Sequence, residues 1–210
     1  MIKPFLVACL IFSAFHAKSQ SYGLQVGADY DTPVGDFAYT FKPTKAYHLD
    51  LLWYSYEKDN TINFTIGTNT FTPKEEIFYF LTNSDQGYGT TVYSDYKIFS
   101  AYMGWMRNLN LAERLKLGLG FNFGAYFSHY TTESNGGGSS SDIGDTNVYL
   151  AAKSGFSFDL SDHLQLNLQA KYNAFAPTGK NDARTPAFQD NRIGTFNRTW
   201  SSGLAIAYKF

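Results

Sequence analysis

Apolar and polar residues alternate with a period of two over most of this chain, and that period decides what it can fold into. Leu117, Leu119, Phe121, Phe123, Ala125 and Phe127 share one face of an extended segment. Lys116, Gly118, Gly120, Asn122, Gly124, Tyr126 and Ser128 share the other. A helix would scatter both sets around its axis, whereas a strand sends successive side chains to opposite faces. Val148, Leu150, Ala152, Phe156, Phe158 and Leu160 repeat the pattern against Tyr149, Ala151, Lys153, Gly155, Ser157 and Asp159, with Ser154 the one break in the apolar series. Leu164, Leu166, Leu168, Ala170 and Tyr172 do so against Gln165, Asn167, Gln169, Lys171 and Asn173, a set too polar for a soluble core.

Laid end to end, the pattern predicts eight strands, at about Tyr22 to Tyr30, Ala46 to Tyr56, Thr61 to Thr72, Tyr96 to Arg107, Lys116 to Tyr130, Asn147 to Leu160, Leu164 to Ala174 and Thr199 to Phe210. Each has the roughly 9 to 11 residues that a tilted strand needs to cross a bilayer. The connections alternate: long at Asp31 to Lys45, short at Glu57 to Asn60, long at Pro73 to Asp95, short around Asn108 to Leu115. Thr131 to Thr146 is long, Ser161 to His163 tight, and Phe175 to Arg198 long. Short turns on one side and long loops on the other are the plan of an all-β, eight-stranded antiparallel up-and-down transmembrane barrel.

A soluble eight-stranded barrel of the lipocalin kind also alternates faces, but its interior is apolar and its exterior charged. Here the polar face carries mostly Gly, Ser, Asn and Gln, and the apolar face is nearly free of ions across its middle. Only 17% of the residues are charged while 18% are aromatic, which suits a wall facing lipid. Aromatics also fall at strand ends: Tyr30, Tyr47, Phe99, Phe127, Phe175 and Trp200 at the outer ends, Trp53, Trp105, Tyr208 and Phe210 at the inner ones. Two such belts fit two membrane interfaces. A net charge of -1 leaves no basic footprint for nucleic acid.

Residues 1–19 read as an export signal, with a positive start at Met1 to Lys3, an apolar run from Phe5 to Phe15 and the small-x-small site Ala17-Lys18-Ser19. Cleavage there removes Cys9, the one cysteine, and leaves residues 20–210 as the barrel domain. In the last strand Gly203 precedes Leu204, Ile206, Tyr208 and Phe210, alternating to an aromatic end. This looks like the targeting signal of outer-membrane barrels, which the barrel-assembly machinery takes up by strand addition. The chain as a whole resembles the small eight-stranded outer-membrane barrels, among them the OmpA membrane domain, OmpX and OmpW. Thr32-Pro33-Val34-Gly35-Asp36-Phe37 is similar to loops in barrels of this kind from Bacteroidota, and alone it reads as a Pro/Gly turn followed by a packed Phe.

The outer loops differ in character. Ile77, Phe78, Tyr79, Phe80 and Leu81, then Asn83 to Gly89, then Thr90 to Tyr93, read as a hairpin continuing strands three and four above the membrane. Its apolar residues make it a candidate partner site, with packing on neighbouring loops as the plainer reading. Asn135 to Asp142 is Gly/Ser-rich and expected to be mobile. Lys180, Asp182, Arg184, Asp190, Arg192 and Arg198 give the last loop a cationic balance suited to lipopolysaccharide phosphates.

Strand parity turns His48, Asp50, Asn122, Tyr126, Lys153, Asp159, Gln169 and Lys171 inward, where eight strands leave room only for side chains. His48, Asp50, Lys153, Asp159 and Lys171 are expected to form a polar network in which Asp50 pairs with Lys153 or Lys171; a narrow water path along them is the rival. Catalytic constellations are thin: Ser128 and His129 fall on opposite faces, His163 lies in a turn, and no spacing favours a metal or nucleotide. The expectation is an envelope component with no enzymatic activity and no cofactor. It would present its loops to lipopolysaccharide or to a larger outer-membrane complex, with a small passive channel or OmpW-type transporter as the alternative.

Overall fold

The structure, a computed structural model, describes residues 21–55, 59–81, 88–134, 139–176 and 197–210. The predicted export signal and Cys9 lie outside them. Strands β1 (Ser21–Val34), β2 (Thr44–Tyr54), β3 (Asn60–Phe71), β6 (Tyr96–Ala112), β7 (Leu115–Ser134), β8 (Ser139–Asp159), β9 (Leu164–Ala176) and β10 (Asn197–Lys209) form the wall. A five-residue helix α1 (Asp36–Thr40) follows β1, and a hairpin of β4 (Phe78–Leu81) and β5 (Tyr88–Tyr93) stands between β3 and β6. Each wall strand pairs antiparallel with the next, and β1 pairs with β10 from Gly23↔Lys209 to Val34↔Arg198. The sheet is closed, so over the span where all eight described wall strands pair, none offers an unpaired edge to lipid, where an unsatisfied N–H or C=O is costly.

The register gives the barrel its pitch. Outward-facing partners run Tyr22, Trp53, Ile62, Trp105, Phe121, Ala152, Tyr172, Trp200 and return to β1 at Thr32, ten residues beyond the start. A row of neighbours therefore climbs toward the long-loop end as it circles the barrel, as tilted strands require. The period of two is kept throughout: in β1 the even positions from Leu24 to Thr32 are exposed and the odd positions buried. Val26, Ile66, Phe123, Leu168, Leu204 and Ile206 are half exposed or more, a continuous apolar band that would aggregate in water and suits a bilayer.

Three differences from the sequence reading have simple causes. Phe175 is 3% exposed and faces inward, because it shares the odd parity of Asn173 and Lys171 rather than that of the lipid-facing Tyr172. The β6–β7 hairpin runs to Ala112 and Leu115, with Glu113 and Arg114 alone in the turn, so β6 is five residues longer than predicted. Ser139 to Asp142, expected to be mobile, belongs to β8 and pairs with Thr131 to Ser134; residues 135–138 lie outside the described chain. The β4–β5 hairpin stands where predicted, and β5 joins β7 through Thr91 to Tyr93 just beyond the start of β6.

The band sets a depth-dependent cost for charge. Leu204→Arg, in the middle of β10, is expected to lower stability by about 2–4 kcal/mol, while Leu111→Arg, exposed beside the β6–β7 turn, changes it by less than about 1 kcal/mol. Urea unfolding in lipid bilayers measures both, and equal costs would contradict the placement of the band.

Candidate functional site

Inward parity on five strands brings one polar network to mid-barrel: Gln25, Asp29 and Asp31 from β1, His48 and Asp50 from β2, Asn63 and Thr65 from β3, Lys153 from β8, and Asn167, Gln169 and Lys171 from β9. The Lys171 Nζ donates to Asp29 at 2.5 Å, and Gln169 Nε2 donates to the other Asp29 oxygen at 2.9 Å. His48 sits between two carboxylates, with Nδ1 2.8 Å from Asp50 and Nε2 3.6 Å from Asp29. Asp50 also accepts from Gln25 and Thr65, each at 2.5 Å. Asp31 accepts from Asn69 at 2.7 Å and from Ser201.

The expected pairing of Asp50 with Lys153 or Lys171 is thus corrected. Lys171 lies in register with Ser201, and Ser201 with Asp31, so the short side chains of β10 let the lysine reach across to β1. Gly203 acts in the same way between Gln169 and Asp29: a Cβ there would lie 2.0 Å from the Asp29 carboxylate. Lys153 donates to Asn63 at 2.5 Å and forms no ion pair among the described residues. Asp159, grouped with this network in the sequence reading, belongs to a separate cluster at the short-turn end. Lys209 lies 2.5 Å and Lys116 3.5 Å from its oxygens, and Gln165 donates to it at 2.8 Å. Asp29 and Asp31 were missed, although both share the inward parity of Gln25.

Above the network the barrel is filled with rings. At Gly35 the backbone takes a φ of 66°, a left-handed value that glycine adopts without cost, and it turns β1 back over the mouth. The short helix then drops Phe37 and Phe41 onto Phe71 and Tyr96, all of them 0–3% exposed. The Phe37 ring lies 4.9 Å from Phe41, 5.0 Å from Phe71 and 5.5 Å from Tyr96. Backbone bonds from Lys42 to Thr72 (2.9 Å) and from Lys74 to Thr40 (2.8 Å) fasten this loop to the end of β3. Tyr126, Tyr149 and Phe175 form a second aromatic layer beneath, with centroids 5.0 and 5.6 Å apart from the shared Phe175.

Below the rings the interior is wet in character. A cavity of about 70 Å³ lies in the short-turn half, lined by Gln25, Asp50, Tyr54, Lys153, Asn167 and Lys209 among others. It has room for about five waters at roughly 15 Å³ each. Among the described residues the buried Tyr54 hydroxyl and the Asn122 and Asn167 side-chain oxygens have no protein partner, which fits water along this stretch. The cavity reaches Tyr102 and stops short of the mouth residues Phe37 and Phe41.

Outside the barrel, Ile77 and Tyr79 are exposed, whereas Phe78 is buried with its ring 5.3 Å from Tyr93. Of Phe80 and Leu81, only the place in β4 is described. Lys180, Asp182, Arg184, Asp190 and Arg192 lie outside the described residues; Arg198 is exposed at the start of β10. Ser128 points inward and His129 outward, the latter 3.4 Å from Asp142. Leu204, Ile206, Tyr208 and Phe210 all face outward, and β10 is paired on both sides. Among the described residues no three metal-binding side chains come together.

No protein-family profile matches this chain, and no curated protein does. Solved structures do. Neisserial surface protein A is 14% identical, over 90% of this chain and 97% of its own, with a TM-score of 0.56. Ail, the attachment invasion locus protein of Yersinia pestis, solved with the heparin analogue sucrose octasulfate, is 15% identical over 91% and 99%, with a TM-score of 0.52. At these identities the likeness is one of fold, and the fold is that of the small outer-membrane β-barrels.

The two interior lysines are expected to behave differently. Lys171→Met strands the buried Asp29 and lowers stability by about 3 kcal/mol, and Asp29→Asn in the same chain recovers part of the loss. Lys153→Met costs about 1 kcal/mol, one neutral-partner hydrogen bond beside water. Urea unfolding of the three variants decides this, and equal losses for both lysines would contradict the pairing.

Proposed function

We propose that the protein is a non-conducting scaffold of the outer membrane. It is exported by its N-terminal signal, set with its short turns in the periplasm, and holds its long-loop end out as a docking surface in the cell envelope. The observation that carries this reading is the aromatic packing at the mouth, where Phe37, Phe41, Phe71 and Tyr96 are buried against one another above the polar interior. Eight strands leave an interior that side chains can fill, and here rings fill the half nearest the loops. A passive channel needs a continuous wet path, and the larger interior cavity does not reach the lid residues Phe37 and Phe41.

The rest of the interior supports a structural part. Most of its charged groups are held by partners: Asp29 by Lys171, Asp159 by Lys116 and Lys209, Asp50 by His48, Gln25 and Thr65, and Lys153 by Asn63. Side chains locked in this way hold the wall rigid and leave no set of donors free to pass an ion along. We infer no enzymatic role, since the one adjacent Ser–His pair, Ser128 and His129, points to opposite sides of the wall. The outward candidates for contact are the extended β7–β8 hairpin and the β4–β5 hairpin with Ile77 and Tyr79. Membership of a larger envelope complex is the form of the accessory role that these hairpins suit.

Planar-bilayer recording tests the closure directly. The wild-type barrel is expected to be silent across physiological salt, and Lys153→Ala and Asp50→Ala to remain so. Reproducible unitary steps that change with either substitution would replace the scaffold with a channel. Removal of Ile77 to Leu81 is expected to leave folding intact, read as unchanged heat-modifiable gel mobility, and to shift the native protein to a smaller species after gentle detergent extraction.

A further inference from the structure

On one side of the barrel the register stacks three features that together have the form of a lipid. At the top Tyr30 pairs with Lys45, Thr70 with Lys97 and Lys97 with His129, and Lys45 and Thr70 lie one residue beyond the last β2–β3 pair, Ala46↔Asn69. Lys45 and Lys97 are two strands apart, about 10 Å at the backbone, with only the hydroxyl of Thr70 between them. Both are exposed, and neither forms an ion pair among the described residues, whereas His129 is already beside Asp142. Asp95, two residues before Lys97, makes no ion pair with it either.

The next outward row, directly beneath, runs Tyr47, Thr68, Phe99 and Phe127, the aromatic level expected at a membrane interface. Below that the wall is hollowed. The outward row Leu49, Ile66, Ala101, Ala125 places two alanines where its neighbours carry large side chains. An open groove of about 590 Å³ lies here, lined by Leu49, Leu51, Phe64, Ile66, Ala101 and Met103 among others. It lies on β2, β3, β6 and β7, the strands that carry the two lysines.

An apolar groove in the hydrocarbon layer takes an alkyl chain. Unpaired cations one aromatic level above it take the phosphate at the head of that chain, since ammonium groups and phosphate oxygens form charge-assisted bonds. We infer that the β2–β3–β6 face is a binding site for one phosphorylated glycolipid of the outer leaflet, with a phosphate held by Lys45, Thr70 and Lys97 and an acyl chain lying along Ala101. The site is on the long-loop side, and in an outer membrane that is the glycolipid leaflet. This occupant rests on the membrane orientation proposed above, and it makes part of the docking surface a lipid surface.

The test uses the folded barrel in phosphatidylcholine nanodiscs, titrated with lipid A, with lipid A stripped of its phosphates, and with phosphatidylglycerol, followed by native mass spectrometry. Saturable binding of one lipid A is expected, at least tenfold tighter than either of the other two. Lys45→Ala with Lys97→Ala is expected to weaken it about 25-fold, a factor of about five for each lysine near a charged lipid surface. Ala101→Phe, which fills the groove and leaves the lysines, is expected to weaken it as well. Equal binding of dephosphorylated lipid A, or no change in the double lysine variant, would overturn the site. Equal binding of phosphatidylglycerol would overturn the glycolipid as its occupant. Unchanged gel mobility of each variant shows that the barrel has folded, and conductance is read separately, so failure of this site is distinct from failure of the scaffold reading.

Discussion

A backbone that crosses hydrocarbon must satisfy its own N–H and C=O groups, and in a β-protein this means that the first strand must meet the last. The twelve-residue register from Gly23↔Lys209 to Val34↔Arg198 meets that demand here. Once the sheet is closed with eight strands and a shift of ten residues, the width of the interior is fixed. So is the identity of the side chains that meet across it. The wall's alternation then divides the sequence into a lipid-facing half, chosen for apolarity, and an inward half, chosen to fill a narrow bore.

The bore is filled by two different means. Toward the short turns, carboxylates, lysines and amides satisfy one another around water-sized spaces, and each buried charge with a carboxylate or cation in contact avoids the penalty of standing alone. Toward the long loops, rings from α1, β3, β6, β7, β8 and β9 interlock at centroid distances of about 5 Å, the spacing at which aromatic edges and faces attract. The first solution is polar and adaptable, the second aromatic and shape-specific. Their boundary lies near Tyr102, which touches both the wet cavity and, through Tyr149 at 4.6 Å, the ring stack.

The wall was legible in the sequence because parity is local: reading every second residue assigns His48, Asp50, Lys153 and Lys171 to the interior without knowing any neighbour. Contacts across the bore were not legible in the same way. Which carboxylate meets Lys171 depends on the shift accumulated around the circuit, and on the small residues Ser201 and Gly203 that let side chains pass over β10. Asp50 was therefore given the wrong partner, and Asp159 was placed in a network from which it is separated along the barrel axis. Phe175 was misassigned for a different reason, since aromatic character at a strand end outweighed its odd parity. The closed mouth was half visible: Gly35 and Phe37 read as a turn and a packed ring, but nothing local shows that the ring packs on Phe71 and Tyr96.

The lid has a further consequence for how the barrel becomes impermeable. Gly35 and α1 hang from the end of β1, the strand that completes the sheet by pairing with β10. The part that stoppers the bore is therefore carried by the part that closes the wall. The stopper's other end is tied to β3 through the backbone bonds of Lys42 and Lys74, so it is anchored on both sides of β2.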